Sequence, residues 1–316
     1  MDEFALIRHY FADGGAMRGD VVRGIGDDAA VLRVPEDQEL ATTTDSLVAG
    51  VHFPPELDPD AIGYRALAVN LSDLAAMGAE PAWVLLALTL PEADEKWLEG
   101  FSQGFFRLAK SHHVALVGGN VARGPLNITI TAHGLVPAGQ ALTRKGAQPG
   151  DAILVTGHPG DAAAGLKLIR SGHGDSKDAC VRRFCYPEPR VAAGIALRGI
   201  ANAVIDISDG LLADLSHLLE AGDVGATLEL SRLPLSESLL AMDTADAARS
   251  LALTGGDDYE LCFTVAQENL PALQPRLTGF GCPVTCIGTI DAEPGLRLRD
   301  VHGETSNIHA DGYRHF

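Results

Sequence analysis

The sequence predicts an α/β fold, with α+β character, arranged in two domains, and three observations carry that expectation. Short apolar and β-branched runs of strand length alternate with Ala- and Leu-rich stretches of helical length. A segment rich in Pro, Gly and polar residues, PAGQALTRKGAQPGD, interrupts the pattern at 137–151, after which the pattern restarts. The length of 316 residues suits two domains of about 140 and 170 residues, and the boundary is placed between domains 1–138 and 139–316.

Taken in order, strands are expected at Leu40–Thr44, Trp83–Leu90, Val114–Val117 and Asn127–Val136, the last alternating as a half-buried strand does. Asp60–Met77 is Ala- and Leu-rich and closed by Gly78, which reads as a helix with a glycine stop. Beyond the interruption, Ala152–Thr156 reads as a buried strand followed by a Gly/Pro turn and a helix at Asp161–Ile169. Ala203–Ile207 and Leu211–Leu219 repeat that order, and Ala226–Leu230, Glu260–Val265 and Pro283–Ile287 read as further strands. No short internal repeat is found.

Composition limits the function. The chain is 46% hydrophobic and 21% charged, with a formal net charge of -18 from 42 acidic and 24 basic residues. Phosphate contacts to a nucleic-acid backbone need Lys and Arg, so nucleic acid is not an expected partner. No signal-like leader or membrane-length apolar run is read, so a cytoplasmic protein without a membrane partner is expected. The five cysteines, Cys180, Cys185, Cys262, Cys282 and Cys286, lack C-x-x-C spacing. They are expected to be reduced and mostly buried.

The chemistry lies in acidic residues set among glycines and apolar residues: Asp27 and Asp28 in GIGDDAA, Asp45 in TTTDSLVAGVHF, Asp73 in NLSDLAAMGA, Asp206 and Asp209 in DISDGLLADL, and Asp257 with Asp258 in TGGDDYELCF. A buried lone carboxylate costs several kcal/mol unless it is paired or coordinated. Lys and Arg are nearly absent from these windows, so hard divalent cations, Mg²⁺ or Mn²⁺, are the simplest compensation. Magnesium held by carboxylates in turn implies phosphate. Structural readings stand beside this one: Asp209 as a helix N-cap, and Asp27 with Asp28 shaping a turn. Asp73 shares a helix face with Asn70 near the carboxyl end, where the helix dipole disfavours negative charge.

Familiar phosphate loops are missing. Gly160-Asp-Ala-Ala-Ala-Gly165 is followed by Leu166 rather than Lys-Ser/Thr, and GIGDDA lacks the dinucleotide fingerprint. H-R-D, D-F-G and G-x-S-x-G motifs do not occur. Gly118-Gly119-Asn120 is read as a turn after the strand, able to bring backbone N–H groups to a phosphate. Arg144 and Lys145 are the cations nearest to glycine-rich sequence. His52 reads first as a structural histidine and second as a substrate contact.

In order, GIGDDAA, TTDSLVAGVHF, NLSDLAAMGAEPAW, LVGGN, ALTRKGAQPGD, DISDGL, GGDDYELCFT and the terminal GYRHF closely resemble the thiamine-monophosphate kinase family, within the superfamily of aminoimidazole ribonucleotide synthetase and selenophosphate synthetase. The resemblance spans nearly the whole chain. It implies a two-domain aminoimidazole ribonucleotide synthetase-like fold whose N-terminal ATP- and Mg-binding sheet forms a barrel in a homodimer, followed by a C-terminal α/β domain. It also implies ATP-dependent phosphorylation of thiamine monophosphate to thiamine diphosphate, the last step in making that cofactor, with several Mg²⁺ ions in a cleft between the domains.

By motif matching, the resemblance makes Asp28, Thr43, Thr44, Asp45, Asp73, Asn120, Asp206 and Asp209 metal ligands, with Asp45, Asp73 and Asp206 the residues central to catalysis. Gly119, Asn120, Arg144 and Ser208 would meet ATP, and His52, Asp257 and Tyr313 the thiamine phosphate. Asn120 stands where the family often has Asp, and Asp257 where Glu is common.

The acceptor is a phosphate oxygen already ionised at neutral pH, so direct in-line transfer without a phosphoenzyme is expected. Two alternatives remain at this level. One is another acceptor in the same superfamily, an amide or a selenide; the selenide version expects a reactive Cys near the N-terminus, whereas the first cysteine is Cys180. The other is a non-catalytic divalent-ion module, although no EF-hand loop occurs.

Overall fold

The computed structural model describes residues 3–12, 14–242, 244–277 and 283–308. The chain divides into two compact units, Met1–Leu74 with Ala79–Gly139, and Ala75–Gly78 with Gln140–Phe316.

The first unit runs α1 (Glu3–Tyr10), β1 (Val21–Arg23), β2 (Val31–Leu32), β3 (Gln38–Val48), α2 (Pro59–Ala76), β4 (Glu80–Leu90), α3 (Glu95–Ser111), β5 (Ala115–Arg123) and β6 (Asn127–Pro137). Helix α2 ends where expected. Gly78 takes φ +62, which only glycine adopts without strain, and the Ala79 N–H donates to Leu74 O at 2.8 Å. Helix α3 was not read from the sequence. Asp94 caps it by accepting from the Lys96 and Trp97 amides, and Leu98, Phe101, Phe105 and Leu108 form its buried stripe. Each of these side chains contributes about 1.5–3 kcal/mol by leaving water. Helices α2 and α3 approach so closely that a Cβ on Gly104 would lie 1.8 Å from the Asp60 carbonyl oxygen.

Four strands form one sheet in the order β3-β6-β4-β5. Strand β3 pairs antiparallel with β6 from Gln38↔Pro137 to Val48↔Asn127, β6 pairs antiparallel with β4, and β4 pairs parallel with β5 through the α3 crossover. Because directly opposed residues share a face, Thr43, Asp45 and Leu47 lie on the face of buried Ala132, Ile130 and Ile128. The opposite face carries Thr42, Thr44 and Ser46 beside His133, Thr131 and Thr129, joined by side-chain hydrogen bonds of 3.0, 3.1 and 2.6 Å. Trp83 is buried against the β1–β2 ribbon, and its indole N–H donates to Asp20 at 3.0 Å. Burial would raise the Asp20 carboxyl, but the Arg18 guanidinium and this indole bond hold it below the usual carboxylate range.

The second unit runs β7 (Ala152–Thr156), α4 (Asp161–Arg170), α5 (Ala179–Cys185), α6 (Val191–Leu197), β8 (Ala203–Ile207), α7 (Leu211–Gly222), β9 (Gly225–Glu229), α8 (Glu237–Met242), α9 (Ala245–Thr254), β10 (Glu260–Val265), α10 (Leu270–Leu277), β11 (Val284–Asp291), β12 (Gly295–Arg299) and β13 (Thr305–Ile308). Its strands form one sheet, β13-β12-β9-β11-β7-β10-β8, in which only β12 and β9 are parallel neighbours. The repeated strand-then-helix order therefore does not produce adjacent parallel strands. Strand β10 inserts antiparallel between β7 and β8, and all six of its residues are buried. An apolar run buried on both faces needs a neighbour on either side, and local patterning does not say which one. Beneath the sheet, Ile153, Val155, Ile205 and Ile207 pack with Leu211, Leu215 and Leu218 of α7.

Cys180, Cys185 and Cys262 are free and buried, Cys286 is free and partly exposed, and Cys282 lies outside the described residues. Among the described residues no helix is long and apolar enough to cross a membrane.

Candidate functional site

In the first unit the structure brings Thr43, Asp45 and Asp73 to one side of the sheet. The Thr43 hydroxyl donates to Asp73 Oδ2 at 2.5 Å, tying the middle of β3 to the last turns of α2. Asn70, one turn earlier on α2, is fully buried; its Nδ2 donates to Ala66 O at 3.1 Å and its Oδ1 accepts no protein hydrogen bond. His52 is fixed by its own chain: its Nδ1 accepts the Val48 N–H at 3.0 Å while its N–H donates to Val48 O at 3.0 Å. That bond places the ring proton on Nε2.

Other predicted residues of this unit are placed differently. Thr44 faces away from Thr43 and Asp45, its hydroxyl donating to Ile130 O at 3.1 Å and sharing a bond with Thr131. Asp27 and Asp28 are exposed in the β1–β2 connection rather than buried; the Asp27 side chain accepts the Asp28 N–H at 3.1 Å, as the turn reading anticipated. Gly118-Gly119-Asn120 is not a turn but the middle of β5, paired with Leu85, Leu86 and Ala87. Glycine is needed there because a Cβ on Gly119, at φ +151, would lie 1.9 Å from the Leu86 carbonyl oxygen. The row Ser46–Thr129–Ala87–Asn120 across the sheet puts Asn120 on the face opposite to Asp45.

In the second unit Asp206 lies on β8 opposite Leu261 and is buried. Ala203, Ile205 and Ile207 point into the core, so alternation turns Asp206 to the other face. Ser208 and Asp209 follow at half-buried positions. Asp209 is not the N-cap of α7. The cap position is Gly210, which makes no side-chain cap bond, and a carboxylate from within the helix braces the turn before it: Asp214 Oδ2 accepts the amides of Ser208, Asp209 and Gly210 at 2.9, 3.0 and 3.1 Å. Burial pushes the Asp214 carboxyl up to about 6, against the downward pull of those amides.

Asp257 adopts φ +72, with its N–H donating to Ser208 O at 2.8 Å and its carboxylate accepting the Tyr259 hydroxyl at 3.2 Å. DISDG and GGDDYE are thus hydrogen-bonded to each other. Arg144 is exposed beside Thr143, whose carbonyl accepts the Val204 N–H of β8 at 2.9 Å. Tyr313 lies outside the described residues.

Two neighbours of Asp257 have structural partners that the sequence did not reveal. Asp258 caps α4, accepting the Gly160 and Ala162 amides at 2.7 and 3.2 Å, and burial raises its carboxyl well above the ordinary value. Glu260 is fully buried between Arg183, Arg190 and Thr156. The expectation that metal compensates every acid in these motifs is therefore corrected for Asp258: helix N-terminal amides do it.

The remaining donors are carboxylate, hydroxyl and amide oxygens, with no thiolate among them, and this set fits a hard divalent cation. Among the described residues no three His, Cys, Asp or Glu side chains are already gathered closely enough to hold an ion.

Two family profiles match: "AIR synthase related protein, N-terminal domain" over residues 26–136 and "AIR synthase related protein, C-terminal domain" over residues 148–301. The chain is similar to thiamine-monophosphate kinase of Escherichia coli strain K12, with 52% identity across 99% of this chain and 98% of that protein. Its structure is similar to the crystal structure of thiamine-monophosphate kinase from Stenotrophomonas maltophilia K279a, with 46% identity, a TM-score of 0.86, and coverage of 92% of this chain and 93% of that one. It is also similar to AaThiL complexed with AMPPCP and TMP, with 32% identity, a TM-score of 0.79 and 92% coverage of each chain.

Proposed function

Because the chain belongs to the thiamine-monophosphate kinase family and has the two-domain α/β fold of AIR synthase related proteins, we propose that it transfers the γ-phosphate of ATP to thiamine monophosphate, giving thiamine diphosphate and ADP. The observation that carries this reading is the 52% identity across 99% of the chain. The oxygen-only donor set agrees with the chemistry. A phosphate acceptor is already ionised, so the obstacle is repulsion between two anions rather than a proton to be removed.

Residues of the first unit, Asp28, Thr43, Thr44, Asp45, Asp73 and Asn120, would hold Mg²⁺, as would Asp206 and Asp209 of the second. Bound Mg²⁺ supplies charge neutralisation on the phosphates and orientation for in-line attack. Asp45, Asp73 and Asp206 would be central to it. Thr43 fixes the rotamer of Asp73 through its hydroxyl. The Thr44 hydroxyl is engaged on the other face of the sheet, so on this reading Thr44 would contribute through its backbone rather than its side chain. Gly119, Asn120, Ser208 and Arg144 would contact ATP, Arg144 as a guanidinium fork for phosphate oxygens. His52 would donate Nε2–H to the substrate phosphate, and Asp257 would face the cationic ring of thiamine, with Tyr313 adding a further contact.

On this reading the first unit, as domain 1–138, is the ATP-binding and dimerising part, and 139–316 is the C-terminal α/β domain. A homodimer is supported by the 11-residue edge strand β3 and the exposed Val22, Val31, Val34 and Leu40 near it. The barrel would be closed by the partner's sheet. A reducing cytoplasm suits the four free cysteines.

The test is turnover with γ-labelled ATP. Label is expected in thiamine diphosphate and not on protein; label trapped on the protein during turnover would refute direct transfer. A monomer by light scattering would remove the dimer.

A further inference from the structure

We infer that Asp214 is a positioning residue for phosphate transfer: it holds the Ser208–Asp209–Gly210 turn in the shape that presents Ser208 and Asp209 to the nucleotide and its metal. This rests on the function proposed above and extends it to a residue that contacts neither substrate.

A helix N-terminus leaves backbone amides without partners, and a carboxylate on the preceding residue is the usual remedy. In DISDGLLADL that residue would be Asp209, at the cost of turning its carboxylate inward. The structure places no side-chain cap there and instead braces the turn that leads into the helix. Asp214 sits in the first turn of α7, is 4% exposed, and one of its oxygens accepts three successive amides, those of Ser208, Asp209 and Gly210. Gly210 holds φ +123 and supplies no side chain of its own. The shape of the Ser208–Gly210 turn is therefore set by Asp214.

The backbone of Asp257 fixes Ser208 from a second direction. The Ser208 N–H goes to Asp214 while its carbonyl accepts the Asp257 N–H at 2.8 Å. Gly256 makes that approach possible, since a Cβ there would lie 2.6 Å from Ser208 O. Both backbone groups of Ser208 are thus committed, and the turn is clamped between α7 and the loop that carries Asp257. Removing the acceptor leaves three successive amides without it, and the turn that carries Ser208 and Asp209 loses its brace.

The experiment measures ATP KM, Mg²⁺ half-saturation and kcat for wild type, Asp214→Asn and Asp214→Ala, with Asp161→Asn as a control. Asp161 is also a buried carboxylate of this unit, bonded to Ser236 at 2.6 Å, and its change should lower stability without touching metal dependence. Asp214→Ala is expected to raise Mg²⁺ half-saturation and lower kcat/KM for ATP by about 10–100-fold. Asp214→Asn keeps a carbonyl acceptor and should recover part of that loss. If Asp214→Ala does not fold, Asp214→Asn decides: an Mg²⁺ half-saturation equal to wild type overturns the inference. A wild-type protein that makes no thiamine diphosphate would instead refute the function, so the two failures are distinguishable.

Discussion

Replacing Glu260 with Gln should destabilise the second unit by about 3–5 kcal/mol, the typical cost of removing one partner from a buried ion pair. The carboxylate is fully buried. It accepts Arg190 Nε and Nη2 at 2.7 Å each, the Thr156 hydroxyl at 2.5 Å, and Arg183. The Arg190 and Arg183 side chains are only 10% and 15% exposed, so water cannot replace a lost charge. Glutamine keeps the shape but turns one acceptor into a donor facing a guanidinium. Both tryptophans, Trp83 and Trp97, lie in the first unit. The assay is therefore urea unfolding followed by far-UV circular dichroism, with hydrogen exchange of the β10 amides as the local readout. At an m-value of about 2–3 kcal/mol/M the midpoint should fall by roughly 1–2.5 M.

The pH dependence has a definite sign. Burial pushes the Glu260 carboxyl up, but the Arg190 hydrogen bonds and the charges of Arg190 and Arg183 outweigh it and hold the pKa below the ordinary value. Its contribution is complete above the unfolded-state Glu pKa and is lost as pH falls through the lower folded-state value. The gap between wild type and Glu260→Gln should be full at pH 7 and narrow in acid. A variant within about 0.5 kcal/mol of wild type at pH 7 would refute the claim that an ionised, paired Glu260 holds β10.

Four further outcomes follow from the first unit. Asp73→Asn should cut kcat by about 100-fold or more, and Thr43→Val by about tenfold through loss of the 2.5 Å bond that orients it; steady-state turnover checks both. Gly119→Ala, with its methyl 1.9 Å from Leu86 O at φ +151, should cost about 2 kcal/mol or more in unfolding followed by tryptophan fluorescence. On the proposed reading of Asn120 as a ligand, Asn120→Asp supplies a charged one, so Mg²⁺ half-saturation should fall about threefold or more with kcat little changed, as a metal titration of turnover would record; an unchanged half-saturation would remove Asn120 from the proposed set.

Much of the fold is legible locally. β7, β8 and β10 are largely apolar runs bounded by turn residues, with Asp206 and Glu260 set into the last two, and their limits in the structure, Ala152–Thr156, Ala203–Ile207 and Glu260–Val265, are those the pattern sets. Pairing is not legible, because nothing in ELCFTV says that it lies between two strands more than 50 residues earlier. The same limit governs the site. Motif chemistry brings out Thr43, Asp45 and Asp73, and the strand period alone would have put Thr44 on the other face. Asp258 and Glu260 escape such reading because their partners are backbone amides and arginines far along the chain, 70 residues away for Arg190 and 98 for Gly160, whereas Asp214 bonds amides four to six residues earlier and is missed because motif chemistry looks at side chains. GGN fails for a related reason: its glycine serves a close strand approach, which resembles a turn signal in sequence but not in space.

The central claim is tested most directly by product identification after incubating the protein with ATP, Mg²⁺ and thiamine monophosphate, with free thiamine as the alternative acceptor and EDTA as the metal control. The account predicts thiamine diphosphate and ADP in equal amounts from the monophosphate alone, abolished by EDTA and restored by Mg²⁺. ATP that binds without yielding thiamine diphosphate, or diphosphate formation unaffected by EDTA, would contradict it.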